Sequence, residues 1–254
     1  MKHFYAVIIL LAGLLALAPD LATAQTSGQT GTQPAPQPLP QDANTQACLS
    51  DPSPDNRLLA CAKVLAAHPA NPDYSWAHNT RGNAYFQKND LNNAIKEYDA
   101  AIKLNPKDPQ AYNNRGAVHF RQGLFAPAAL DYTAALKADP KDAAAYNNRA
   151  LANFQLGKID LAVQDYGSAI KLDPTYAGAY ESRGLIYYGQ GKLQPAFADF
   201  NTAVKLDPKS AEALFLRSAA YLKLGNKPNA DADLAAAKLL DPNIVAKMAA
   251  IGLK

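Results

Sequence analysis

Five arginines, Arg81, Arg115, Arg149, Arg183 and Arg217, stand 34 residues apart. Five acids, Glu97, Asp131, Asp165, Asp199 and Asp233, keep the same period, each 16 residues after an arginine. Guanidinium and carboxylate groups at such a recurrence serve one of two ends. The arginines are a row of cations open to anionic ligands, or they pair internally with the acids. Arginine pairs bidentately with a carboxylate, so an internal ladder would fix the register of packed elements. The matched acids favour the ladder. Breaking one side of such a pair is costly, because the other charge stays buried.

Other reactive side chains are few. Cys48 and Cys61 are the only cysteines and flank a proline-containing turn, Asp51 to Pro54. In an oxidising compartment they are expected to bond, closing a loop of about a dozen residues worth about 3 kcal/mol. There is no C-x-x-C for a redox pair. His3, His68, His78 and His119 show no metal-ligand spacing and no acid at a fixed offset; His78 and His119 read as packed side chains. Phosphate-binding, dinucleotide, nucleophile-elbow and zinc-protease motifs are absent from the sequence. No catalytic residue, metal or cofactor is assigned, and an enzyme is not expected.

The elements that hold the arginines are read from proline and alanine. The 254 residues include 51 Ala and 18 Pro, a favourable and a hostile residue for helix. The prolines resolve the conflict. Pro72, Pro106, Pro140, Pro174, Pro208 and Pro242 are 34 residues apart, the mark of a helical repeat array. Within each window small residues recur, as at Ala94, Ala128, Ala162, Ala196 and Ala230, with a second series from Ala101 to Ala237. Large ones stand between them at Tyr98, Tyr132, Tyr166, Phe200 and Leu234. Asn89, Gly123, Gly157, Gly191 and Gly225 mark a turn that accepts the left-handed conformation. Each window therefore predicts two amphipathic helices joined by a short turn. The proline sits just past the second helix, where it cannot extend it.

The segments Tyr112-Asn113-Asn114-Arg115-Gly116 and Tyr146-Asn147-Asn148-Arg149-Ala150 resemble the tetratricopeptide repeat family. Windows 75–108, 109–142, 143–176, 177–210 and 211–244 all fit its pattern. The resemblance implies an all-α fold, a right-handed superhelical solenoid of helix-turn-helix repeats. It also implies a scaffold for protein–protein interaction whose first helices line a concave groove. The groove would carry Asn79, Asn83 and Phe86, then Asn113, Asn114, Phe120 and Arg121, then Asn147, Asn148, Phe154, Glu181 and Tyr188. The asparagines are expected to be exposed, holding a peptide backbone through amides that both donate and accept. The aromatics either take apolar side chains of a partner or pack between repeats. Relatives that clamp a terminal carboxylate carry basic residues where this chain has Asn79, Ala144 and Asn148, so that role is not carried over.

The ends differ in composition. Lys2, an apolar run from Phe4 to Leu17, and Ala22-Thr23-Ala24 have the layout of a secretory signal peptide over 1–24. Cleavage after Ala24 predicts a periplasmic or secreted protein with no membrane span remaining. Residues 25–46, rich in Gln, Thr and Pro, read as a disordered tether. Residues 47–74 read as a helical cap or half-repeat, and 243–254 as a capping helix to about Leu253. A net charge of +3 is too even for a nucleic-acid binder. The expected partner is a protein or peptide, bound by a monomer. The competing expectation is a self-assembling structural protein of the cell envelope.

Overall fold

The computed structural model describes residues 42–68, 71–250 and 252–253. The signal-like segment 1–24 and most of the tether lie outside them. The described residues hold α-helices and one short 3-10 turn, and no strand. In chain order the helices are α1 Ala43–Ser50, α2 Pro54–Ala67, α3 Ser75–Gln87, α4 Leu91–Leu104, α5 Pro109–Arg121, α6 Phe125–Ala138 and α7 Ala143–Gln155. They continue as α8 Ile159–Leu172, α9 Ala177–Gly189, α10 Leu193–Leu206, α11 Ala211–Lys223, α12 Lys227–Leu240 and α13 Ile244–Ala250. The chain divides into two compact units, the first ending at Ala152 and the second beginning at Asn153, within α7.

The hairpin turns follow from backbone chemistry. Asn89 has φ 61° and Gly123 φ 76°, the left-handed region that ends a helix. Each second helix stops at an Asn or Asp before the periodic proline. Asp139 is extended at φ −129° and ψ 95°, as the residue before a proline must be. The same side chains then form a turn of their own: the Lys141 and Lys209 amides each donate to Asp139 and Asp207 at 2.9 Å.

In the first unit, α3 packs on α4 and α5 on α6, and the first helices α3 and α5 touch each other. Ala94, Ala101, Ala128 and Ala135 are fully buried at the crossings, with Tyr98 and Tyr132 between them. A Cβ added at Gly82 would stand 2.5 Å from the Tyr98 ring, so the hairpin closes only over glycine there. In the second unit, α9 pairs with α10 and α11 with α12, and α9 touches α11. Its core gathers Phe200, Leu214, Phe215 and Leu216 and is closed by Ile244, Met248 and Leu253.

Two boundaries differ from the sequence reading. The tether yields to helix at Ala43, because the Asp42 side chain accepts the Asn44 and Thr45 amides and caps α1. α1 and α2 are then a pair of helices ahead of the repeats, with Cys48 and Cys61 fully buried between them. At the other end α13 stops at Ala250. Gly252 (φ 78°) and Leu253 donate back to Ala249 and Met248 in a Schellman-type ending.

Candidate functional site

The periodic arginines and acids meet between the two helices of a hairpin. Arg81 Nη2 donates to Glu97 at 2.7 Å. Arg115 holds Asp131 with two bonds, Nε at 3.1 Å and Nη2 at 2.6 Å. Arg183 holds Asp199 at 2.9 and 2.8 Å, and Arg217 holds Asp233 at 2.7 and 2.8 Å. Asp131, Asp165, Asp199 and Asp233 are buried. Arg149 lies over the Tyr146 ring and donates to the Thr133 hydroxyl at 3.4 Å, while Asp165 accepts from Asn153 at 3.1 Å.

The ladder has a second arm that the periodicity did not reveal. Arg115 Nη1 also donates to Asp99, in the previous hairpin, at 2.6 Å. Arg149 reaches Thr133 and Arg217 reaches Asn201 in the same way, each 16 residues back. Acids are shared as well. His78 Nδ1 lies 2.8 Å from Glu97, and His119 Nδ1 lies 2.9 Å from Asp131. These histidines do have acidic partners, contrary to the sequence reading. Their separations of 19 and 12 residues differ, so no single offset announces them. Burial pushes the Glu97 carboxyl up, but hydrogen bonds from His78 and Arg81 outweigh it and hold it below its ordinary range. The hydrogen bond to Asp233 raises Arg217, and that to Asp199 raises Arg183.

The groove asparagines are engaged with one another. Asn114 Nδ2 donates to Asn79 at 2.9 Å and to Asn83 at 3.1 Å. The Tyr98 hydroxyl donates to the same Asn83 oxygen at 2.7 Å. Asn148 Nδ2 donates to Asn113 at 3.4 Å. Asn79 and Asn147 are buried, against the expectation of exposure. The physical reason is that a neighbour one repeat away supplies the polar partner that makes burial of Asn79 tolerable. Asn79, Asn83 and Asn114 therefore join successive repeats.

The large side chains at the end of the first helices divide. Phe154 is buried. Phe86 is half-buried with the Arg121 guanidinium 5.1 Å above its ring. Phe120 is half-buried and meets Phe125 edge-on at 5.2 Å. Tyr188 is half-buried beside Phe200, and Leu222 is 57% exposed. This position thus offers partly open apolar surface on α3, α5, α9 and α11. In the second unit the same helices carry Glu181, a buried carboxylate whose one hydrogen bond comes from Ser210 at 3.5 Å. Burial, with Glu212 and Asp207 nearby, pushes it up to about 7.

Among the described residues no three His, Cys, Asp or Glu form a metal-holding group, and no helix is long and apolar enough to cross a membrane. The Cys48 and Cys61 sulfurs stand at bonding distance, with Cα atoms 4.7 Å apart.

No curated protein matches the chain by sequence. Solved structures do. YrrB, described as a TPR protein with an unusual peptide-binding site, is 21% identical with a TM-score of 0.60 over 74% of this chain and 97% of its own. PilF of Pseudomonas aeruginosa is 17% identical with a TM-score of 0.67 over 74% and 85%. TTC0263, a thermophilic TPR protein of Thermus thermophilus, is 22% identical with a TM-score of 0.55 over 71% and 100%. At these identities the likeness concerns the fold. Models described as TPR repeat match residues 82–123, 152–191 and 184–225, and models described as tetratricopeptide repeat match 109–142 and 131–164. Glycine under tyrosine, proline after the second helix and family models running without a gap from 82 to 225 agree, and the chain belongs to the tetratricopeptide repeat family.

Proposed function

We propose that the chain is an exported scaffold that holds a peptide or helix of another protein on the faces of its first helices. The carrying observation is the row of large apolar side chains there that the repeats leave partly uncovered: Phe86, Phe120, Tyr188 and Leu222. Such anchors suit an apolar side chain of a partner, while the engaged asparagines keep the helices in place. The peptide-binding site named for YrrB gives the reading a precedent on the same fold. Export rests on the signal-like segment and on a cysteine pair suited to an oxidising compartment.

The test is a crosslinked pull-down from the native envelope fraction with mature protein beginning at Gln25. Tyr188→Ala with Leu222→Ala should lose the captured partner while the melting temperature holds. Full recovery by that variant would place binding elsewhere. Mass spectrometry of the secreted chain should find Gln25 at its N-terminus, and an intact Met1 would end the export reading. Self-assembly has one observation in its favour, the exposed second-helix leucines Leu130 (72%) and Leu239 (87%). Light scattering decides: a monomer at high concentration excludes it.

A further inference from the structure

We infer that α9 carries a subsite for a basic side chain, in which the Glu181 carboxylate receives the ammonium or guanidinium of a lysine or arginine in the bound peptide. The inference rests on the reading that the first-helix face of the second unit holds a peptide.

Glu181 occupies the place held by Asn79, Asn113 and Asn147 in the preceding repeats and by Phe215 in the next. Three neutral amides give way to one acid. The residue is only 6% exposed, yet it lacks the partners a buried carboxylate needs. Ser210 donates to Oε1 from 3.5 Å, the outer limit of a hydrogen bond, and Oε2 has none. Oε2 is also absent from the sealed, unpaired atoms, so it keeps access to solvent.

Among the described residues no cation answers this charge. Arg183 is two positions along α9, so it faces away, and it is held by Asp199. Lys247 is engaged by Asp241 at 2.6 Å. Lys209 is exposed and contributes nothing to Glu181. The charges that Glu181 does feel are those of Glu212 and Asp207, both negative. A field of one sign, focused on a nearly buried carboxylate, attracts a cation.

A metal ion is the poorer fit, since the described residues form no group of three ligands. An organic cation needs one carboxylate and an apolar wall. Leu185, one turn further along α9, and Phe215, one repeat on, are both buried in the core beside this face. A lysine or arginine stem lies against apolar surface of that kind while its head reaches the acid.

The experiment pans phage-displayed random seven-residue peptides on the mature full chain. Selected sequences should be enriched in Lys or Arg at one position. A selected peptide should bind about tenfold more weakly to Glu181→Gln, the loss of one charge-assisted hydrogen bond. Replacing its lysine by norleucine should cost the same factor on the native chain and nothing on the variant. Glu181→Asn, the residue type of the preceding repeats, serves as a second variant if the glutamine form misfolds. Because the free carboxyl titrates near 7, the lysine peptide should also release protons on binding at neutral pH. Calorimetry in two buffers of different ionisation enthalpy reads that release. Peptides selected without basic enrichment, or bound equally by native chain and variants, overturn the subsite alone. A library that yields no binder overturns the peptide-holding face as well.

Discussion

Arg115 Nη1 donates to Asp99 Oδ1 at 2.6 Å across the joint between two successive hairpins. The same guanidinium grips Asp131 in its own hairpin, so one side chain sets both the closure of a repeat and its seat on the previous one. Arg115→Ala should cost about 2–3 kcal/mol, with His119 left as the partner of buried Asp131. Asp99 is half exposed, so Asp99→Ala should cost under about 1 kcal/mol. Urea unfolding midpoints check both, and equal costs would refute this division of roles.

Arg183 lacks a second-arm acceptor, because the residue 16 positions back is Gly167. A Cβ built there would stand 3.7 Å from Arg183 Nη1, an ordinary contact. Gly167→Ala should gain about 0.5–1 kcal/mol from backbone entropy alone. Gly167→Asp should exceed Gly167→Asn by about 0.5 kcal/mol at low salt, and the difference should vanish near 1 M salt. Thermal melts at two salt concentrations read the rung directly.

Gly184 lies under Phe200, whose ring would be 2.7 Å from an added Cβ. Gly184→Ala should therefore destabilise by about 1–3 kcal/mol despite its better helix propensity. Adding Phe200→Leu should recover part of the loss, since the last window already combines Ser218 with Leu234. A double mutant no better than the single would show that the clash is not with the ring.

Glu181 gives a pH signature. Its carboxyl is raised in the folded chain to about 7 from 4.5, so the folded state binds the proton more tightly than the unfolded. Its contribution is fully present below about pH 4.5 and is lost as pH rises to about 7, by roughly 2–3 kcal/mol. Glu181→Gln should flatten that fall. Glu97 acts oppositely, since its lowered carboxyl supports the fold above its ordinary range and fails on acidification. Denaturant midpoints between pH 4 and 8, native against Glu181→Gln, check the sign.

Cys48→Ser with Cys61→Ser should weaken the α1–α2 pair by up to about 3 kcal/mol, the loop-closure term for their separation of 13 residues. Hydrogen exchange should rise in α2 and leave α11 unchanged. Unaltered α2 protection would mean that buried apolar contacts alone hold the pair.

The repeat was legible because its signals are local and periodic. Proline after each second helix, glycine in each turn and alanine at each crossing act within one window, and 34-fold recurrence repeats them. The own-hairpin partners Glu97, Asp131, Asp199 and Asp233 were legible for the same reason. What escaped was contact between windows. Asn114 reaching Asn79, 35 residues back, looks in the sequence like an exposed amide, because only packing reveals that its acceptor is another asparagine. Asp99 escaped because its equivalents are Thr133, Gly167 and Asn201, which share geometry but no residue type. The start of α1 escaped because Asp42 caps a stretch too polar to read as helix.

The asparagine chain has a consequence for how this surface changes over generations. Asn79, Asn83 and Asn114 face the region where a ligand would lie, and they also fasten one repeat to the next. A substitution that altered recognition there would loosen the array in the same stroke. Tyr188 and Leu222 have no polar neighbour to abandon. New binding preferences are therefore easier to reach through the apolar row than through the amides, and variation between relatives should collect at the former.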